Sequence, residues 1–578
     1  MAHFKLRLVC AAAFSLMSAG ATFADPVQPL PTTIENFHMR GTQPGGLELG
    51  NEIITAQNQC SGCHGQDSPI HDEWRGSLMS QAARDPVFYA ALDIAEHDAP
   101  GSGDACLRCH VPKAWLEGRS TPTNGSSITR DDRDGVTCHF CHRLVDPFDP
   151  TYAATPLDQI ILLGLGADRP VQSMDLGTPS SPGFSGSANY VVDPFDRRRG
   201  PFPLVESGVP SPPAVTCDTS FHRAFTFGSC EDDFGDPDGC PTFESPFHRK
   251  AQLCGTCHDV SFPHVNYSAG QPALNGLGVR HPDGNKYNMS PEQRTFSEWL
   301  KSSFNQPGGV DMGGRFGAPG QNNVSSCQDC HMAGHDTKGC EFVSDTRPDI
   351  PRHTFNGAAT WILEAIALQF GPDGPIEGFP IPDGLGPEFY EDTVASLIAN
   401  ADRNRLFLQK AADMEAVVDE MHVPGERHLK VRVTNQTGHK LPTGYIEGRR
   451  IFLTVEYYGC DSDMDPIAVF GGYNKVTGSL DSASTKVYHA EIGPDPVTAA
   501  AAGVQPGPSN HSILGTVMYL DNRIPPRGFT NAGFAAIQAA PVAYSYADGQ
   551  YWDDTFYPIP DEAIGAKVTL YYQQTSRE

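Results

Sequence analysis

The sequence predicts a mixed fold: a mainly α, loop-rich domain followed by an all-β, sandwich-like C-terminal domain. Three observations predict it. Glycine (58) and proline (49) are abundant in the 578 residues, which favours short helices and long loops. The pattern Cys-x-x-Cys-His occurs five times, all between residues 60 and 331. From about residue 425 apolar and polar residues alternate at period two.

The first element is a segment to be removed. Residues 1–24 read as a secretory signal: Lys5 and Arg7 give a basic start, Leu8 to Met17 an apolar run, and Thr22-Phe23-Ala24 a small-residue cleavage site. The run is too short to span a bilayer, and Cys10 at its front is expected to leave with it. No later segment reads as transmembrane, so export to the periplasm or beyond is expected. The formal net charge of −28 argues against nucleic acid or an anionic membrane as partner and favours basic proteins or cations.

The next domain, 25–386, carries the repeated motif: Cys60–His64, Cys106–His110, Cys138–His142, Cys254–His258 and Cys327–His331. Two cysteines at this spacing form thioethers to the two vinyl groups of one haem, and the adjacent His binds its iron. Zinc needs four ligands per site and no His directly after each second Cys. A thiol redox pair normally occurs once, in a strand–helix context missing here. The motifs therefore predict five haem c groups, tethered by Cys60, Cys63, Cys106, Cys109, Cys138, Cys141, Cys254, Cys257, Cys327 and Cys330. The proximal iron ligands are His64, His110, His142, His258 and His331. His139, inside "GVTCHFCHRL", reads as a solvent-facing loop residue because His142 takes the proximal role.

Helices are expected at 83–97, 291–303 and 357–370. A longer one is expected over 387–420 and ends before Pro424, so 387–424 reads as a linking helix. In "HLKVRVTN" (428–435), "RIFLTVEYY" and "AKVTLYYQ" the apolar positions alternate, and strands separated by Gly/Pro/Asp turns predict a β-sandwich domain over 425–578. Five cysteines lie outside both the motifs and the signal: Cys217, Cys230, Cys240, Cys340 and Cys460. Cys230–Cys240 is the most plausible disulfide among them. The acidic run Glu231–Asp238 reads as a solvated turn, with calcium binding the less favoured alternative.

Longer stretches carry a resemblance. "CSGCH", "EWRGSLMSQAARDPVFYAAL", "GSGDACLRCHVPKAWLEGRSTP", "GVTCHFCHRLVDP", "NYVVDPFDRRRGPF", "SPFHRKAQLCGTCHDV", "CQDCHM", "GHKLPTGYIEGRR" and "DNRIPPRGFTNAGF" together resemble exported multihaem c-type cytochromes. That group includes the tetrahaem cytochrome of ammonia oxidation and hydroxylamine oxidoreductase. The resemblance covers most of 55–578, and the Cys230–Cys240 loop departs from it. It implies electron transfer with redox partner proteins and identifies no substrate.

Position and resemblance together nominate the second axial ligands. His248 lies six residues before Cys254, and His353 in "RHTFNGA" is similar to a His-x-Phe motif whose His is a distal ligand. His439 in "TGHKLPTG" sits on a turn between predicted strands, from which the β-domain could cap a haem. His222 and Met79 are further candidates. Met79 stands where related chains carry Met or His, and core packing is its alternative reading. His335 is held in reserve. His71, His97, His264, His281, His422, His428, His489 and His511 default to surface or structural roles. Arg197–Arg199, Arg449, Arg450, Arg523 and Arg527 are expected at haem propionates or between domains, because the guanidinium fork fits a carboxylate.

Two functions fit these residues. The first is a carrier that moves electrons through five six-coordinate haems, an electron-transfer protein rather than a substrate-converting enzyme. The second is an oxidoreductase acting on a small nitrogen or sulfur compound at one open-faced haem. No Cys-x-x-Cys-Lys motif is present to favour it. The β-domain alone could dock a partner, bind a surface polymer, or lock the haem domain.

Overall fold

The computed structural model of the chain describes residues 27–50, 52–53, 60–65, 68–147, 156–169, 186–201, 242–339, 341, 346–369, 387–446, 448–460 and 465–576. The signal segment, His222, Cys217, Cys230, Cys240, Cys340 and the acidic run Glu231–Asp238 lie outside these residues, as does the side chain of Cys63. Cys460 is exposed and unpaired.

Each motif winds into a short helical turn, which brings cysteines three apart onto one face. The turns are Ser61–His64, Gly103–His110, Cys138–Cys141, Ala251–Gly255 and Cys327–His331. Local chemistry starts two of them. Thr137 Oγ1 accepts from Phe140 N–H ahead of the third, and Ser326 with Asp329 forms a capping box on the fifth. The helix expected at 83–97 is Pro86–Asp98: Asp85 accepts from the N–H groups of Val87 and Phe88, and Pro86 occupies the first helical position. Its buried face joins a core of Phe88, Leu92, Leu107, Trp115, Val136, Phe140, Tyr190 and Phe247, which joins the second and third motifs.

The other helices differ from expectation in extent. At 291–303 the chain first forms the strand Ser290–Gln293, paired with Val260–Phe262, and only then the helix Thr295–Leu300. The helix expected at 357–370 is Trp361–Gln369. The linking helix, Pro387–Leu408, stops well before 420, because Ala412–Asp419 pairs in eight-residue antiparallel register with His428–Asn435. Sheet pairing overrides helix propensity there.

The C-terminal region is β-rich. One sheet orders Ala412–Asp419, His428–Asn435 and Trp552–Pro558. In the other, Arg450–Tyr458 pairs with Ala468–Phe470, Val487–Tyr488 and Gly565–Gln573. Val431 and Val433 of the first sheet and Leu453, Val455 and Tyr457 of the second share one buried cluster. Among the described residues no helix is long and apolar enough to cross a membrane.

Candidate functional site

One internal cavity of about 1650 Å³ runs through the motif-bearing region. Nine motif cysteines line it, every one whose side chain is described, and so do His64, His110, His142, His258 and His331. Residues separated by more than 260 positions thus face a single space, and its other lining is largely apolar: Trp74, Leu78, Phe88, Leu92, Phe140, Phe262, Phe296 and Phe407 among others.

The motifs touch one another through their sulfurs. The Cys60 thiol lies beside Cys138, Cys109 beside Cys257, and Cys254 beside Cys327. Cys141 lies within electrostatic reach of Cys254. The first motif therefore meets the third, the third meets the fourth, and the second and fifth both meet the fourth.

Several imidazoles are held in the way metal-ligating imidazoles usually are. A ligating His normally engages its other ring nitrogen with a fixed acceptor, which sets tautomer and orientation. Nδ1 of His64 donates to Gly339 O at 2.7 Å, that of His142 to Arg199 O at 2.6 Å, and that of His331 to Asn356 O. His353 does the same with Pro351 O at 2.9 Å and His439 with Lys440 O at 3.0 Å. In His142, His331, His353 and His439 this leaves Nε2 to face a ligand. Burial also holds the rings neutral: it lowers His110 and His331 to about 4, His248 and His353 to about 3, and lowers His142, His258 and His439.

Three of the nominated distal residues face proximal ones. The His331 and His439 rings have centroids 6.4 Å apart and planes 22° from parallel. Two imidazoles bound to opposite faces of one metal by bonds of about 2 Å have centroids roughly 6 Å apart, so this pair has the spacing of an axial pair. His142 is flanked by His248 at 5.2 Å and 16°, and by His353 at 6.5 Å and 28°. The His248 ring stands closer than the axial spacing, with Nε2 on Cys141 O at 3.0 Å, so an iron between it and His142 requires it to withdraw by about an ångström. His353 also lies within electrostatic reach of His64. Met79 lines the cavity and packs on the core around Phe88 and Val136, with no proximal ring opposite it among the described contacts.

Several residues depart from expectation. His139 is buried rather than solvent-facing, because Asp196, on the chain 57 residues later, hydrogen-bonds its Nε2 at 2.7 Å. Burial lowers it to about 4 although Asp196 pulls the other way. His71 and His335 also line the cavity, His71 against Trp74 and His335 with Nε2 4.0 Å from Glu73. Arg197 and Arg199 are engaged by Asp193 and Asp158 at 2.6 to 3.0 Å, and Arg198 pairs with Asp196. Arg450 bonds Gln573, and Arg527 bonds Gln436. Arg523 joins Asp521 and Glu298, a contact between the two regions. Arg449 lines the cavity with Nη1 on Thr443 O, and its Nε has no hydrogen-bond partner among the described residues, which suits an anionic group of a bound cofactor.

A cavity lined by cysteine pairs, apolar side chains and imidazoles that burial holds neutral fits covalently bound haem, as c-type cytochromes hold it. Residues 59–143, which hold the first three motifs, match the family model for cytochrome c554 and c-prime. No curated protein matches the chain. A solved penta-heme cytochrome c552 from Thermochromatium tepidum is similar over 91% of this chain and 92% of its own, at 14% identity and a TM-score of 0.47.

Proposed function

We propose that the chain is an exported pentahaem c-type cytochrome that carries electrons through five haem c groups in the periplasm or at the cell surface. One observation carries the reading: motifs spread over 272 positions of sequence converge on one apolar cavity, with their imidazoles neutral and several pinned through Nδ1. Haem supplies reversible one-electron exchange at iron; the chain supplies tethers, axial nitrogens and insulation from water. His439 is assigned opposite His331. His353, which stands at the axial spacing from His142, is assigned to the third site, and His248, which stands closer than that spacing, to another. His222 and Met79 are proposed for the remaining sites, and Arg449 for a propionate.

The sulfur contacts order the sites as a branched path. The first leads to the third and the third to the fourth, from which the second and fifth diverge. We read the C-terminal pair of sheets as a sandwich that locks the cavity through His439. The strongly acidic chain favours basic redox partners. Intact-mass analysis of protein matured in a host that attaches haem c tests the count: five porphyrin adducts are expected, and a bare polypeptide overturns the reading. Magnetic circular dichroism then classifies each axial pair. High-spin haem together with turnover of nitrite, hydroxylamine or tetrathionate would favour the oxidoreductase reading instead.

A further inference from the structure

His439 sits on a turn of the β-rich region, yet the group that grips this turn belongs to the motif-bearing region. Glu298 lies on the helix Thr295–Leu300, whose start is bonded to the fourth motif: Phe296 N–H donates to His258 O at 3.1 Å. Its carboxylate is fully buried. Oε2 accepts from Lys440 N–H at 3.0 Å and from Thr443 Oγ1 at 2.7 Å, so one oxygen holds the residue after His439 and another three further on. Oε1 faces Arg523 Nη1 at 3.4 Å.

The turn is fixed from its other side as well. Asn435 Nδ2 and Thr437 Oγ1 both donate to His439 O at 2.8 Å. Gly438 lies flat on Trp299 and Phe304, where an added Cβ would stand 3.2 to 3.3 Å from their rings. Behind it, Lys440 Nζ donates to Asp521 Oδ2 at 2.6 Å, and Arg523 clasps the same carboxylate at 2.7 and 2.9 Å. Lys440, Arg523, Asp521 and Glu298 are all buried, two charges of each sign. Such a quartet is costly to desolvate, and apolar packing would serve stability as well. What apolar packing does not supply is a fixed acceptor for the backbone beside an axial ligand, or a balanced charge next to it.

We propose that Glu298 is a positioning residue for His439: it holds the second axial ligand of the fifth haem in place and balances the buried charge beside that haem. The inference rests on the assignment of His439 as that ligand. It also ties the helix bonded to the fourth motif to the ligand of the fifth, so adjacent sites of the path share one structural support.

The test uses full-length, haem-loaded H439A, E298Q and E298A, read by magnetic circular dichroism and by a spectroelectrochemical titration. In E298Q the amide oxygen still accepts from Lys440 N–H and Thr443, so all haems low-spin in the parent stay low-spin. The quartet then carries an excess positive charge, which shifts one haem potential upward. In E298A the turn is released and one haem becomes high-spin in whole or part, as in H439A. Unaltered spin states and potentials in E298A and E298Q, with H439A high-spin, overturn the role of Glu298 and leave the ligand assignment standing. An unaltered spectrum in H439A overturns the assignment and the inference together. Should E298A fail to accumulate as folded protein, E298Q decides: an unshifted set of potentials overturns the proposal.

Discussion

His331 and His439 stand 108 residues apart in sequence and face each other across 6.4 Å, with ring planes 22° from parallel and each Nδ1 turned away onto a backbone carbonyl. One ring belongs to the last motif and the other to the β-rich region. Replacing His439 with Ala is expected to convert one haem of five from low to high spin, measured by magnetic circular dichroism, with carbon monoxide binding gained at that haem alone.

His248 and His353 flank His142 on two sides, and the assignment gives them different irons. H248A and H353A are each expected to create one high-spin haem. The double variant H248A/H353A should create two. A single high-spin haem in the double variant would show that both rings serve the same site.

Tethering is predicted site by site. C327A/C330A removes both thioether anchors of the fifth motif, and intact mass is expected to fall by one porphyrin while four adducts remain. With that haem missing, His439 loses its partner, so the variant should match H439A in lacking the corresponding potential.

A pH-dependent clamp joins the two regions. His511 Nδ1 donates to the fully buried Asp98 at 2.6 Å, and this hydrogen bond raises the His511 pKa above its ordinary value. The histidine is more protonated in the folded state, so the clamp stabilises fully below the unfolded pKa of about 6.5 and is lost as pH rises through the folded one. Because His511 is partly exposed, about 1 kcal/mol is expected after allowing for solvent screening. H511A should lower Tm at pH 5.5 and leave it nearly unaltered at pH 9, as followed by thermal unfolding of the holoprotein.

Leu453, fully buried between the C-terminal sheets, is far in sequence from any motif. Leu453→Ala is expected to cost about 3 kcal/mol. If the β-rich region supplies an axial ligand, that loss is also visible spectroscopically: on warming, one low-spin haem should convert before the others do.

What was legible in the sequence was what neighbouring residues decide. The five Cys-x-x-Cys-His motifs stand out because thioether attachment would fix both the cysteine spacing and the following His. The strands His428–Asn435, Arg450–Tyr458 and Gly565–Gln573 followed from period-two alternation, and the helix expected at 83–97 is present as Pro86–Asp98. Residues governed by distant partners were read less well. His139 appeared solvent-facing because its Asp196 partner lies on a segment reached only through the fold. Ala412–Asp419 read as helix because its residues suit either state, and only pairing with His428–Asn435 decides. Glu298 gave no signal, since it meets Lys440 across 142 residues.

The sulfur contacts leave three ends, at the first, second and fifth motifs, and one crossroads at the fourth. A single-file circuit has only an entrance and an exit. A circuit with three termini can be filled from one docked protein while a second one drains it and a third terminus stores charge, so donor and acceptor need not compete for the same patch of surface. The same layout concentrates vulnerability: losing a terminus leaves the other four joined, whereas losing Cys254–His258 would split the rest into three pieces, the first and third motifs together, the second, and the fifth.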